Sequence, residues 1–259
     1  MDLIAGSYTE ELQTSDIAVW IDPIDGSKAF AEGDLEHVTN MIGITVKGRP
    51  IVGIIHKPFT SQKKNLSRTY VGSIESGLFY LDHSQSDRTT SSPTYVTPFE
   101  EQTTSTNGGH FQPHMCFGTD VEQESIMERV FEDLMPLKVN RVKGPGNKFL
   151  HLANERSDFF LNLVPGYSMW DLCASEAIFA SRGGIMTDAR QKPLFYDSSR
   201  RSFGLFNGVV AARDASTYLH AKRTYETKSG STLAASQTQI RRDVHLKKQE
   251  TRRQALNQL

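Results

Sequence analysis

The chain has 259 residues, of which 37% are hydrophobic and 23% charged, and its net charge is −1. These values are typical of a soluble globular protein with one large domain or two halves that share a core. No apolar run is long enough to cross a bilayer, and the chain does not open with a basic region followed by an apolar segment. The sequence therefore predicts a cytoplasmic protein with no membrane partner.

The charge is distributed unevenly along the chain. Residues 221–259 carry nine Lys or Arg against three Asp or Glu, a balance of +6, which leaves −7 on residues 1–220. An acidic body argues against nucleic acid as a partner and suits a site for divalent cations. We expect the basic segment 221–259 to be a disordered tail.

The first 83 residues contain apolar segments that predict strands. Residues 17–21, IAVWI, predict a buried strand, and residues 40–59 predict an antiparallel hairpin with KGRP at its tip. A further strand is predicted at residues 77–82. Ser, Thr, Pro and Gln dominate residues 84–109, so we expect this stretch to be a loop between two halves.

In residues 110–220, predicted strands and helices alternate, as in a layered α/β domain. The predicted strands lie at 114–119, 137–142, 158–164, 184–188 and 207–212. The predicted helices lie at 120–135, 148–155 and 170–184.

Two carboxylates, Asp22 and Asp25, follow the first predicted strand in the stretch VWIDPIDGSKAF. Two negative charges this close repel each other, so water, a basic side chain or a metal ion must offset the cost. The alternative interpretation is a surface Asx turn, since D-P and D-G steps are common in turns.

The residues that follow favour a phosphate site. Gly26 permits a close backbone approach by a ligand, and Ser27 is predicted to be the N-cap of a short helix. A phosphate at that helix start, bridged by Mg²⁺ to the carboxylates, would explain why the acidic residues lie there.

A third carboxylate, Asp171, opens the predicted helix WDLCASEAIFASRGG. The alternative here is an ordinary N-cap aspartate. Together with the D-P-I-D-G-S turn, it would complete a two-metal cluster of the kind that activates water for an in-line phosphoryl displacement.

The segments WIDPIDGS, GPGNK and WDLCASEAIFASRGG together resemble the lithium-sensitive, Mg²⁺-dependent phosphatases of the inositol monophosphatase superfamily, and within it the 3′(2′),5′-bisphosphate nucleotidases. The resemblance spans about residues 16–218. It implies a layered αβαβα sandwich that lacks the N-terminal helical region. It also implies a phosphorylated small-molecule substrate, with hydrolysis of the 3′-phosphate of adenosine 3′,5′-bisphosphate to AMP by metal-activated water.

The resemblance also implies roles for particular residues. Gly26 and Ser27 would contact the scissile phosphate, and Lys148 would contact a second phosphate, unless it is a surface lysine at a helix start. The implied Mg²⁺ ligands are Asp22, the backbone carbonyl of Ile24, Asp25 and Asp171, and the implied catalytic residues are Asp22, Asp25, Ser27 and Asp171.

The chain departs from the family pattern in three places. Val164 stands where inositol monophosphatases place a Glu, which disfavours inositol monophosphate but leaves an inositol polyphosphate 1-phosphatase open. Thr119 and Asp120 replace a Ser-His pair of the nucleotidases. Only Glu10 and Glu11 are available upstream for a metal-binding Glu, so we expect the N-terminal helices to be absent and apolar sheet surface to be uncovered.

A second hypothesis follows from the third departure. The chain would then be a catalytically inactive homologue that binds phosphorylated ligands or a partner protein, with the basic tail as the interaction element.

Overall fold

The computed structural model describes residues 11–61, 66–84, 86, 88–99, 114–117, 138–162, 166–205 and 207–219. Its strands are β1 Ile17–Asp25, β2 Thr39–Val46, β3 Arg49–Ser61, β4 Leu66–Ser73, β5 Gly77–Ser84, β6 Thr94–Val96, β7 His114–Phe117, β8 Lys138–Arg141, β9 Phe159–Asn162, β10 Ile185–Asp188 and β11 Val209–Ala212. Its α-helices are α1 Ser27–Ala31, α2 Pro145–Ala153 and α3 Met169–Ala180. The predicted helix at 120–135, the Thr119-Asp120 pair, Val164 and the tail lie outside the described residues.

Strands β1 to β6 form one antiparallel sheet in sequence order. The predicted hairpin is confirmed as β2 and β3, joined at Lys47 and Gly48, whose φ values are 48° and 73°. Two successive positive φ values are what a tight two-residue hairpin turn requires. Strand β4 was not predicted from the sequence, because its mixed polar residues in LSRTYVGS do not alternate cleanly with apolar ones.

The second sheet has the strand order β10-β11-β9-β7-β8, with β7 parallel to both β8 and β9. Helices α2 and α3 lie between the two sheets. Each helix contributes side chains to two hydrophobic clusters, one packed against each sheet. On one side, Leu150 and Ile178 pack with Met41 and Ile55 of the first sheet. On the other side, α2 and α3 residues pack with Phe160 of β9. The predicted α/β layering is confirmed in this sheet–helix–sheet arrangement.

A row of three glycines brings α3 close to the first sheet. Gly43, Gly53 and Gly72 are paired in register across β2, β3 and β4. A Cβ atom at Gly43 would lie 2.4 Å from the sulfur of Cys173, and one at Gly53 would lie 2.1 Å from the carbonyl oxygen of Ala174. Both distances are shorter than atoms tolerate, so the helix can rest here only because the side chains are missing.

Residues 17–21 form the predicted strand, but the prediction that this strand is buried is wrong for most of its residues. Only Trp20 of this segment is buried, whereas Val19 and Ile21 are each 57% exposed. Every position of IAVWI is apolar, so the sequence does not tell the face toward α3 from the opposite face. On that opposite face Ile42 of β2, the partner of Ile21, is also exposed.

The segment 84–109, expected to be a loop, contains strand β6, which pairs with β5. Phe99 after it packs edge-on against Phe179 of α3. The guanidinium of Arg182 lies 4.1 Å from the Phe99 ring centroid and donates to the carbonyl of Thr97. A polar composition therefore did not prevent this stretch from docking on the core. None of the described helices is long and apolar enough to cross a membrane.

A buried polar network fastens α3 to the β2–β3 hairpin. Glu176 of α3 accepts hydrogen bonds from Arg49 at 2.7 Å and from the hydroxyl of Tyr196 at 2.7 Å. Burial raises the pKa of Glu176, while the Arg49 charge opposes that rise.

The Tyr196→Phe substitution is expected to lower the free energy of unfolding by about 1.5–3 kcal/mol, because it leaves one oxygen of a buried carboxylate without its donor. Urea unfolding followed by circular dichroism measures this change. An unchanged midpoint would show that Arg49 alone satisfies Glu176.

Candidate active site

Strand β1 does not end before the two aspartates but runs through both of them. Side chains alternate between faces in a regular strand, so Asp22 and Asp25, three residues apart, would point to opposite sides. A bulge prevents this, because Asp22 pairs with Met41 and Asp25 with Thr39, which places one extra residue on β1. Both aspartates are consequently buried, at 9% and 3% exposure.

Asp22 forms the side-chain-to-backbone hydrogen bond of an Asx turn, as the D-P step allows. The N–H of Ile24 donates to Oδ1 of Asp22 at 3.1 Å. The alternative of a surface turn is nevertheless wrong, since the Asp22 side chain is buried.

Gly26 links the bulge to α1 in a conformation that favours glycine, with φ of 77°. A Cβ atom at this position would also lie 2.6 Å from the carbonyl oxygen of His37. Gly26, rather than the predicted Ser27, is the N-cap of α1. Ser27 is the first helical residue, and its side chain is exposed.

The GPGNK segment forms the start of α2 and supports Asp25. The N–H of Gly146 donates to Oδ2 of Asp25 at 2.7 Å. A Cβ atom at Gly146 would lie 3.0 Å from that oxygen and 2.4 Å from Oγ1 of Thr39. A glycine is therefore required for the helix backbone to reach the aspartate.

Asn147 ties this helix start to its surroundings. Its amide nitrogen donates to the carbonyl of His37 at 2.6 Å, and its amide oxygen accepts from Lys57 at 2.6 Å. Sequence reasoning missed Thr39, Lys57, Gly146 and Asn147. The signal that marks the last two is a helix start with a proline between two glycines.

Lys148 is 7% exposed, so the alternative of a surface lysine is wrong. Its ammonium group donates to the hydroxyl of Tyr167 at 3.0 Å. Burial raises the pKa of Asp25, and the positive charge of Lys148 is one of the influences that oppose this rise. Lys148 thus places a buried cation near the aspartates.

The N-cap of α3 is Ser168, so the alternative of Asp171 as an N-cap is wrong. Asp171 is the third helical residue, and its Oδ2 accepts from the N–H of Ser168 at 2.6 Å, closing a capping box. Burial and the nearby carboxyl group of Asp22 raise the pKa of Asp171. Asp171 therefore stabilises the first turn of α3 and lies close to Asp22 of β1.

The structure brings all the sequence-predicted site residues to one cavity of about 660 Å³. Trp170, which is 37% exposed, lies in its wall beside Asp171. The described lining residues are Asp22, Ile24, Asp25, Gly26, Ser27, Lys28, Ala29, Glu32, Lys143, Gly144, Pro145, Lys148, Trp170 and Asp171. Glu11, which is exposed, is not among them, and Glu10 lies outside the described residues.

Two carboxyl groups of this cavity, those of Asp25 and Asp171, have raised pKa values. Burial raises the pKa of Asp25 to about 6, although hydrogen bonds from Thr39 and Gly146 oppose the rise. The pKa of Asp171 rises to about 7 through burial first, then through its hydrogen bond to Asp22 and the nearby negative charges of Asp22 and Asp25. The positive charge nearby is therefore too small to offset the burial of Asp25 and Asp171.

Carboxylate and carbonyl oxygens from Asp22, Ile24, Asp25 and Asp171 are the donors that a hard divalent cation prefers. This donor set, with the raised pKa values of two members, fits a cation in the cavity. The three aspartates do not have ligand atoms all within 4.8 Å of one another.

One triplet among the described residues does meet that spacing, namely Asp34, Glu36 and His37. The ammonium of Lys143 lies 2.8 Å from Asp34, and Nδ1 of His37 also lies 2.8 Å from it. The charge of Asp34 is thus already offset, so its position needs no ion to explain it.

The sequence profile of the inositol monophosphatase family matches residues 2–244. The chain belongs to this family. It is 28% identical over 216 residues to rat 3′(2′),5′-bisphosphate nucleotidase 1, covering 82% of this chain and 63% of the relative. It is 26% identical over 210 residues to inositol monophosphatase 3 of Xenopus laevis, covering 79% and 51%. The chain thus spans less than two thirds of these relatives.

Solved structures confirm the fold. Staphylococcal inositol monophosphatase II matches with a TM-score of 0.64 at 15% identity, covering 88% of this chain and 76% of that one. The Zymomonas mobilis inositol monophosphatase matches with a TM-score of 0.59 at 19% identity, covering 86% and 74%. The predicted sandwich of the inositol monophosphatase type is therefore confirmed.

Proposed function

We propose that the chain is a Mg²⁺-dependent phosphomonoesterase that hydrolyses the 3′-phosphate of adenosine 3′,5′-bisphosphate to AMP in the cytoplasm. The observation that carries this proposal is the single cavity that collects Asp22, Asp25 and Asp171 with the buried Lys148. Family membership and the likeness to relatives named bisphosphate nucleotidases support it.

Asp22, Asp25, Asp171 and the carbonyl of Ile24, which all line the cavity, would hold Mg²⁺. When bound, the cations supply positive charge that activates the attacking water and stabilises the leaving oxygen. Burial and the neighbouring carboxyl groups raise the pKa of Asp171, so a bound cation would favour its ionised form. Water would attack phosphorus and lose a proton, the bond from phosphorus to the 3′ oxygen would break, and that oxygen would gain a proton, giving AMP and inorganic phosphate.

Gly26 and Ser27 would position the scissile phosphate. Both line the cavity directly after Asp25, and Ser27 presents an exposed hydroxyl there. The missing side chain at Gly26 leaves its backbone open to the substrate.

Lys148 would bind the second phosphate of the substrate. Its ammonium group is buried and oriented by Tyr167, so it is fixed before substrate enters. A fixed buried cation favours a doubly phosphorylated substrate over a singly phosphorylated one.

The test is phosphate release from adenosine 3′,5′-bisphosphate, with and without Mg²⁺, beside inositol 1-phosphate and an inositol polyphosphate. We expect Mg²⁺-dependent release, fastest with the bisphosphate nucleotide. Lys148→Met is expected to raise KM for that nucleotide about 10- to 100-fold, through loss of a charged hydrogen bond. Lys192→Met, an exposed lysine outside the cavity wall, is the control.

Two results would contradict the proposal. Folded protein that releases no phosphate from the nucleotide at any Mg²⁺ concentration would favour the inactive homologue. Faster release from an inositol phosphate would keep the reaction and reassign the substrate.

A further inference from the structure

Thr39 contacts Asp25 from the neighbouring strand. The two residues are paired in register where β2 meets the bulged end of β1. The Thr39 hydroxyl donates to Oδ2 of Asp25 at 2.7 Å, and Thr39 is fully buried.

A second donor ends on the same oxygen, since the N–H of Gly146 also lies 2.7 Å from Oδ2. The two donors come from different elements, β2 and the first turn of α2. Rotation of the Asp25 carboxylate would break both bonds at once in a buried site, where an unmade bond is costly. Oδ2 is therefore occupied, and the carboxylate is held in one orientation at the cavity wall.

We infer that Thr39 is a positioning residue that, together with the N–H of Gly146, fixes the Asp25 carboxylate so that its other oxygen is presented to a divalent cation. This inference rests on the proposed function. Partners of this kind set the orientation of a metal-binding carboxylate and account for about 10- to 100-fold of metal affinity or activity.

A purely structural role would give a different result. Thr45 lies on the same strand and is equally buried, but its hydroxyl accepts from Trp20 and donates to the carbonyl of Ala18, each at 3.3 Å. Thr45→Val thus removes a buried hydroxyl from β2 without touching an aspartate, and it serves as the matched control.

The experiment measures Mn²⁺ affinity of the purified chain by the electron paramagnetic resonance of the free ion. Thr39→Val removes the donor and is expected to weaken Mn²⁺ binding about 10- to 100-fold. Thr39→Ser keeps the hydroxyl and loses only a methyl group, so its Mn²⁺ affinity is expected to stay within about 3-fold of that of the original chain. The Mg²⁺ concentration for half-maximal phosphate release should rise in parallel, with KM at saturating Mg²⁺ unchanged.

Near-UV circular dichroism checks that each variant is folded, and Thr39→Ala replaces Thr39→Val if the added methyl prevents folding. Unchanged affinity in Thr39→Val would overturn the inference and leave the proposed function standing. So would equal weakening in Thr39→Ser or in Thr45→Val. An original chain that binds no Mn²⁺ would overturn the inference and the proposed Mg²⁺ site together.

Discussion

Asp171→Asn is expected to abolish phosphate release and, at the same time, to stabilise the metal-free protein at pH 8. Loss of a carboxylate that we propose binds the metal should lower kcat/KM by more than about 100-fold, because loss of an outer partner alone costs about 10- to 100-fold. Asparagine has the same shape but brings no charge beside Asp22. The two effects have opposite signs because the negative charge of Asp171 would help to bind the proposed cation but is unfavourable in the buried, metal-free site.

The pH dependence follows from the direction of the pKa shifts. A carboxyl group whose pKa is higher in the folded state stabilises the fold fully below its unfolded pKa of 3.8 and loses this contribution as the pH rises through its folded pKa. For Asp171 this loss extends up to about pH 7, and for Asp25 up to about pH 6. The shift at Asp25 corresponds to about 3 kcal/mol at 1.4 kcal/mol per unit.

Thermal unfolding of the metal-free protein between pH 4 and pH 8 measures this effect. The melting temperature should fall with rising pH in the original chain, and it should fall less in Asp171→Asn. Asp197→Asn is the control, because Asp197 is only half-buried, lies outside the cavity wall and has a pKa lowered by hydrogen bonds from Ser199. Parallel pH profiles for the original chain and Asp171→Asn would contradict the raised pKa of Asp171.

Gly53→Ala is expected to cost at least about 3 kcal/mol of unfolding free energy, the upper end for an overpacked core. The new Cβ atom would lie 2.1 Å from a backbone oxygen of α3, at Ala174, and cannot be accommodated by a change of rotamer. Either the helix moves off the sheet or the strand bends, and both changes disturb the core on each side of α3.

Chemical denaturation of this variant should be compared with that of Gly166→Ala. A Cβ atom at Gly166 would have no neighbour within 4 Å, so this control should change stability by less than about 0.5 kcal/mol. Equal midpoints for the two variants would show that the contact at Gly53 relaxes without cost.

Local patterns predicted much of this protein. The β2–β3 hairpin follows from a turn sequence between apolar runs, and α3 follows from a long apolar run that precedes Gly183 and Gly184. The three aspartates were recognised because their neighbours, Pro23, Gly26 and Trp170, make short specific motifs.

The features that were missed depend on pairing between distant segments. The bulge that turns Asp22 and Asp25 to one side exists only against β2, and nothing in DPID alone reveals it. Nothing in the sequence around Thr39 marks it as more than a strand residue. Its role depends on Asp25 and on Gly146 of α2, which lies more than a hundred positions later in the chain. Residues 17–21 show the reverse error, since uniform apolarity predicted burial on a face that the described residues leave exposed.

The glycine row under α3 also bears on how activity should be judged in chains of this kind. Gly43 meets the helix at Cys173 and Gly53 meets it at Ala174, within one turn of Asp171. The distance between strand and helix at these glycines therefore sets how near Asp171 comes to Asp22. A chain that retains all three aspartates but carries larger residues in this row would keep its motifs and lose their spacing. The motif residues alone are therefore not enough to judge whether such a chain is catalytically active. The small residues beneath the helix have to be considered as well.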